Sequence, residues 1–464
     1  MRKAGEKGGW QVNEAAFFPG PTARAPRRRR SWFAIARSLR RNMLEIFPPE
    51  AFTDEVVFRR SFGRDQIMLA KPAAIHRILV ENPQNYGRTA ATIRMLRPVL
   101  GDGLLLSEGE DWACQRRAHA PAFAPRTIPL LARRIAEASA AAIAELDAAG
   151  ERPVDLFAAL QKLALDIAGR FMFSLDMRPF TADVRDLVSR YGEGLGRPRL
   201  LDFLLPLAVP TPYDLLRRRV RRRWLALVGR IVAARRALAD AVPGDLFALL
   251  SAANAAEGGS EERLLDQVAT MILAGHETTA AALFWAIHLV CGAPAAEERI
   301  LAEVRGRDLG PDGAAASLSA LPFTRAVVQE TLRLYPPAFT IARVARAADE
   351  AGGIAIREGT VALIAPWVLH RHRRLWREPE RFDPSRFLPG APPPDRLHYM
   401  PFGIGPRVCI GAQLALTEAT LVLATLMQTF HIARADRDPV TPVAIVTTQP
   451  DRHPLFRLHR RQAQ

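Results

Sequence analysis

Three stretches of this 464-residue chain combine residue types that could do chemistry. The first is Phe402-Gly403-Ile404-Gly405-Pro406-Arg407-Val408-Cys409-Ile410-Gly411. It places a cysteine among three glycines, two residues after an arginine and just ahead of an apolar run from Gln413 to Met427. Glycine tolerates positive φ and lets another group approach the backbone. A nearby cation and a helix starting near Ile410 both favour a thiolate. That is the chemistry of a ligating sulfur beside something flat and anionic. The second stretch is Ala274-Gly275-His276-Glu277-Thr278-Thr279, inside the apolar run Leu264 to Val290. Glycine within a helix costs about 1 kcal/mol against alanine, so a buried helix carrying it needs a reason. Ala274 and Thr278 are four apart and share a face. With Gly275 they leave room for a planar group and a small ligand, and Thr278 and Glu277 could deliver protons. The third is Trp112-x-x-x-Arg116, whose indole N–H and guanidinium share a helical face and suit a carboxylate.

Rival chemistries fit less well. His276-Glu277 suggests a zinc hydrolase, but the second histidine would stand at position 280, which is Ala280. His370-Arg371-His372 lacks carboxylate or cysteine neighbours at ligand spacing and reads as a structural bend. Cys114, Cys291 and Cys409 are far apart and odd in number, which argues against a disulfide framework and for a reducing compartment. The net charge of +16 comes mainly from arginine, without zinc-finger spacing or an RNP-type motif, so nucleic acid is not expected as a partner.

The elements that must position these residues are mostly helical, and the hydrophobic share of 49% is ordinary for a globular chain. Val56 to Ala73 reads as a hairpin turning at Phe62-Gly63. Glu81-Asn82-Pro83 opens a long connection to Gly101, and Gly101 to Leu105 precedes the helix of Trp112. Ile128 to Phe173 is helical, while Leu200 to Pro212 is loop-like. Glu330-Thr331-Leu332-Arg333 sets opposite charges three apart on a helix that Tyr335-Pro336-Pro337 ends. Ala338 to Ala342 is then extended, and Ala444 to Leu458 forms a closing hairpin. Residues 1–44 form a basic tail with Arg27 to Arg30. Trp32, Phe33, Ile35 and Leu39 read either as a helix packed on the domain edge or as a basic amphipathic helix touching a membrane surface. The cluster Arg217 to Arg223 reads mainly as a solvated helix face. No run of about 20 apolar residues predicts a transmembrane anchor, and the N-terminal apolar stretch is too short for an export signal.

Phe402-Gly403-x-Gly405-x-Arg407-x-Cys409-x-Gly411 resembles the haem-binding loop of the cytochrome P450 family, with every position filled. The resemblance extends over roughly residues 45 to 460, with its motifs in the family's order. It implies a mainly α fold with small β-sheets, a single haem domain over 45–464, a long central helix over the haem and the cysteine loop beneath. Haem b would be ligated by Cys409, with Phe402 in the loop and Trp112, Arg116, Arg343 and Arg407 on the propionates. Ala274, Gly275, Glu277 and Thr278 would form the oxygen-activation motif. Glu330, Arg333 and Arg381 would form a buried triad. Met271, Ala338, Phe339, Ile341 and Val446 would line the substrate pocket. The implied reaction inserts one atom of O2 into an apolar small molecule. Electrons would come from NAD(P)H through a separate ferredoxin or flavodoxin and its reductase, since little chain follows Cys409 for a fused flavin domain. A cytoplasmic monomer is expected, with Arg117 on a cationic face for the electron donor.

Overall fold

The structure is a computed structural model describing residues 17, 19, 38, 40–61, 63–238 and 245–462. Trp32, Phe33, Ile35 and Leu39 lie outside the described residues. Strands β1 (Val56–Ser61) and β2 (Arg64–Leu69) pair antiparallel and turn at Gly63, where φ is +73°. With β3 (Tyr86–Gly87), β4 (Ile341–Ala345) and β5 (Val361–Ile364) they make a five-stranded sheet of order β1-β2-β5-β4-β3. The parallel β2–β5 pair sets Gln66 opposite Val361, and the antiparallel β4–β5 pair sets Arg343 opposite Ala362.

The body is helical: α1 (Ala90–Leu100), α2 (Gly109–His119), α3 (Ile128–Asp147), α4 (Leu156–Phe173), α5 (Leu200–Leu204), α6 (Pro212–Ala237), α7 (Glu261–Cys291), α8 (Pro322–Leu334) and α9 (Ala412–Thr429). Their starts follow cap chemistry. Thr89 Oγ1 accepts from Thr92 N at 3.2 Å, Asp155 from Ala158 N at 2.9 Å and Ser260 from Arg263 N at 3.2 Å, while Pro212 and Pro322 occupy first helical positions. Helix α7 runs through the middle, packed on α4 and flanked by α1, α6, α8 and α9. It is buried nearly all round, so it carries no amphipathic stripe. Among the described residues no single helix is long and apolar enough to cross a membrane.

Several boundaries depart from expectation. The connection from Glu81 to Gly101 is not an open loop, because the Thr89 cap starts α1 within it. The last long helix begins at Ala412 with Gly411 as its cap, two residues after Ile410. The closing segment divides. Strands β6 (Pro442–Ala444) and β7 (Thr448–Pro450) pair with each other, whereas Leu455–Arg460 pairs with Phe430–Arg434 and with Val154–Asp155. His370 behaves as a structural bend: it is buried and held between the carbonyl of Arg333, 3.2 Å from Nδ1, and Met400 N, which donates to Nε2 at 3.0 Å.

Candidate active site

The cysteine loop folds on its own backbone. Cys409 N donates to Phe402 O at 2.9 Å, Gly403 N to Met400 O at 3.0 Å and Val408 N to Gly405 O at 3.0 Å. Gly403 and Gly405 have φ of +71° and +74°. A Cβ at Gly405 would meet the carbonyl oxygen of Leu79 at 2.0 Å, so the loop presses directly on that backbone. The Cys409 side chain keeps open surface although protein surrounds it closely. It therefore faces an enclosed space rather than bulk water. Burial pushes the thiol up, against the Gly411 N–H and the Arg116 charge that pull it down. Desolvation is the larger effect on the free thiol, while the Gly411 N–H and the Arg116 charge act in the direction the sequence predicts.

On α7, Met271 and Ile272 before the central turn and Thr279 to Leu283 after it are buried, yet Ala274 is exposed and Thr278 partly so. A core helix with open surface at that turn borders an internal space. Thr278 Oγ1 donates to Ala274 O at 2.6 Å. Gly275 also eases a helix contact. A Cβ there would stand 3.2 Å from Met172 Cε and 3.4 Å from Ala168 Cβ, so its smallness serves the α7–α4 contact. Glu277 is bonded by the Gln449 side-chain amide and by the Thr447 hydroxyl, and burial raises its carboxyl. Strand β7 is locked to the same region. Trp285 Nε1 donates to Thr448 O at 3.2 Å, Thr448 N to Pro337 O at 3.1 Å and Thr448 Oγ1 to Pro336 O at 2.8 Å.

Beside the cysteine loop lies a cationic edge. Arg407 Nη1 donates to Ser107 O at 2.7 Å, and its guanidinium stacks 4.5 Å above the Trp112 ring. Arg343 on β4 reaches the Ala342 carbonyl at 3.0 Å. Arg88, just past β3, joins them. Burial, then the charges of Arg343 and Arg407, push Arg88 down to about 9, and burial, then Arg407, pushes Arg343 down to about 10. Arg88 Nε is buried without a hydrogen-bond partner among the described residues. The nearby carboxylate, Glu108, takes the Arg346 guanidinium and the Arg88 backbone N–H. Clustered, desolvated guanidiniums with an orphaned donor fit a bound group carrying two carboxylates. A cleft of about 120 Å³ runs along them, lined by Arg88, Arg343, Arg407, Ile341 and Gly403. Arg116 acts on Cys409 from α2, and burial lowers its pKa.

Beneath, Glu330 and Arg333 are fully buried and bidentate at 2.7 Å. The expected third member is corrected. The Arg381 guanidinium turns to Glu378 at 3.2 Å and contributes its carbonyl to Arg333 at 2.8 Å. Arg386 is the arginine whose side chain approaches Glu330, with Nε 3.6 Å from Oε1. Both sit in a Pro-x-Arg-Phe pattern, Pro379 to Phe382 and Pro384 to Phe387, so the motif could have pointed to either. Of the expected pocket residues, Met271 and Phe339 are each 4% exposed and packed in the main core. Ala338 and Val446 keep open surface, and Ile341 stands over Gly403. Arg88, Glu108, Thr447 and Gln449 carried no local signal in the sequence.

A family profile described as Cytochrome P450 matches residues 48–454. Cyclooctat-9-en-7-ol 5-monooxygenase of Streptomyces melanosporofaciens is 32% identical over 78% of this chain and 79% of its own. Cyclooctatin synthase from the same organism is 35% identical over 76% and 78%. Pentalenene oxygenase of Streptomyces avermitilis is 31% identical over 79% and 81%. The haem domain of cytochrome P450DA superposes with a TM-score of 0.76 at 24% identity, covering 88% of this chain and 90% of that one, and so shares the fold. Profile, relatives and fold agree with the cysteine loop and the small-residue turn of α7: the chain belongs to the cytochrome P450 family of haem-thiolate monooxygenases.

Proposed function

We propose that this protein hydroxylates an apolar, hydrocarbon-rich molecule at haem b ligated by Cys409. The electrons come from NAD(P)H through a separate ferredoxin or flavodoxin and its reductase. The observation that carries the reading is the pairing of an open Cys409 thiol with the turn of α7 that keeps open surface, at Ala274 and Thr278. Thiolate-ligated haem, when bound, supplies O–O bond cleavage. The chain supplies the rest. Arg88, Arg343 and Arg407, with Trp112 and Arg116, hold the carboxylate edge. The Thr278 hydroxyl, now given to the Ala274 carbonyl, turns inward to hold a proton at Oγ1. Glu277, whose burial favours the protonated carboxyl, resupplies it while Gln449 and Thr447 fix its position. Ala338, Ile341 and Val446 contact substrate. The names cyclooctat-9-en-7-ol and pentalenene describe hydrocarbon-rich substrates of relatives and support the same class here. We further propose one haem domain over 45–464, a basic tail over 1–44, a cytoplasmic monomer and an electron-donor face that includes Arg117.

The test has two parts. The reduced, haem-loaded protein should give a thiolate-type carbon monoxide difference spectrum, and its absence in folded protein would refute ligation by Cys409. Thr278→Ala should then lower product per NADPH by about ten- to a hundredfold, diverting electrons to peroxide. Unchanged coupling would remove Thr278 from proton delivery.

A further inference from the structure

The glycine that follows α7 stands where the backbone does not ask for one. Gly292 has φ of −91° and ψ of −5°, right-handed helical values open to any residue. At such a position alanine is expected to stabilise, because it narrows the unfolded chain. The reason for glycine lies in the space beside it. A Cβ there would stand 2.1 Å from Phe17 Cζ, 2.5 Å from Cε2 and 2.9 Å from Cε1. The tip of the Phe17 ring occupies the place of the missing methyl.

Phe17 is held at a second point. Phe382 N donates to Phe17 O at 3.0 Å in an antiparallel bridge, and the two rings meet edge to face with centroids 6.3 Å apart. Phe382 is 5% exposed, and Phe17 packs against the main core. The backbone on either side of Phe382 is committed to the buried ion pair. Pro379 O and Arg381 O accept from Arg333, and Asp383 N donates to Glu330 Oε1 at 2.8 Å. Among the described residues, Phe17 O is the acceptor for Phe382 N. Without it a buried N–H would lose its partner, at the full cost of desolvating that group. Donor, ring edge and missing methyl together specify an aromatic residue that presents its carbonyl.

We propose that the notch between Gly292 and Phe382 is a docking site for the N-terminal segment of this same chain, with Phe17 as its anchor. Occupation of the notch holds residues 379–383 around Glu330 and Arg333. The segment ahead of the haem domain is therefore a strap, and its release loosens the buried pair and shortens retention of the haem. The inference depends on neither the substrate nor the electron donor.

A double-mutant cycle in the full-length, haem-loaded protein tests it, read by urea unfolding and by the rate of haem transfer to excess apomyoglobin. Phe17→Ala should raise the unfolding constant about tenfold and speed haem loss, and Phe17→Leu is the milder variant if the first folds poorly. Gly292→Ala should destabilise to a similar extent, since its methyl displaces the ring. With Phe17→Ala already present the sign reverses: Gly292→Ala should then stabilise about two- to fivefold, the ordinary gain of alanine over glycine. Gly229 serves as control, because an added Cβ there meets nothing within 4 Å, and Gly229→Ala should act equally with either residue at 17. Additive effects at 17 and 292, or a Gly292→Ala protein as stable as the parent, would overturn the proposal. Haem loss unchanged by Phe17→Ala would do the same. So would coupling confined to a gel-filtration dimer, which would assign the ring in the notch to a second copy of the chain.

Discussion

Replacing Arg333, Arg386 and Arg381 by alanine, one at a time, tests how the buried carboxylate of Glu330 is neutralised. Arg333 gives Glu330 two hydrogen bonds at 2.7 Å and the carbonyls of His370, Pro379 and Arg381 three more at 2.6–2.8 Å. Its loss strands a buried charge and several acceptors, a cost of about 3–5 kcal/mol. Arg386 Nε lies 3.6 Å from Glu330, where an effective dielectric of about 20 gives an attraction of about 4–5 kcal/mol before desolvation. Burial lowers the Arg386 pKa despite that partner, so desolvation offsets much of the attraction. A net loss of about 1–2 kcal/mol follows for Arg386→Ala. Among the described residues the Arg381 guanidinium meets Glu378 alone, with both side chains partly exposed. Arg381→Ala should therefore change stability by about 0.5 kcal/mol or less. Urea unfolding of the haem-loaded variants, followed by tryptophan fluorescence and Soret absorbance together, reads the order. If Arg381→Ala destabilises as much as Arg386→Ala, the assignment of Arg386 to this site is wrong.

Gly405→Ala should abolish stable haem loading, because the added methyl would sit 2.0 Å from the Leu79 oxygen at a positive φ; Soret absorbance per mole of purified folded protein measures this, and normal loading would mean the loop can withdraw from Leu79. Glu418 on α9 is buried, and burial pushes its carboxyl up to about 8. Between the unfolded value near 4.5 and about 8 the folded state holds the extra proton, so this residue makes stability fall as pH rises through that window. Glu418→Gln should flatten the slope and gain on the order of 2–4 kcal/mol above about pH 8, and urea midpoints with an unchanged pH slope would contradict it.

The parts of the site legible in the sequence were those whose reason is local. The cysteine loop closes through hydrogen bonds among residues 400 to 409, and its glycines are needed by its own turns. The interrupted apolar pattern of α7 marked the open turn for the same reason. Long-range choices were not legible. Pro379–Phe382 and Pro384–Phe387 carry one pattern, and what separates them is that Arg333 takes the carbonyl of Arg381, which turns that side chain outward. Gly275 read as space for a ligand, and the sequence did not disclose its second neighbour, α4, whose Met172 Cε would stand 3.2 Å from an added methyl. Met271 and Phe339 are apolar in apolar surroundings, and nothing local distinguishes a core side chain from a pocket side chain. Arg88 is one arginine in an arginine-rich chain until the fold sets it beside Arg343 and Arg407.

The two sides of the site are supported in different ways. On the sulfur side the loop is bonded to itself and braced by Leu79 and Ser107. On the α7 side the acid is not held by its own helix: Glu277 depends on Gln449 and Thr447 from the hairpin β6–β7. That hairpin is fastened at Thr448 to both Trp285 and Pro337, and its tip carries Val446. Ala338 and Ile341 follow Pro337 along the segment leading into β4. The residues proposed to meet substrate and the group that holds Glu277 thus share one small support. A change of size at Val446 acts one residue from Thr447, so on the proposed roles substitutions aimed at substrate preference there also bear on proton handling. Changes at Ala338, one residue from the Pro337 carbonyl that Thr448 binds, carry the same coupling from the other side.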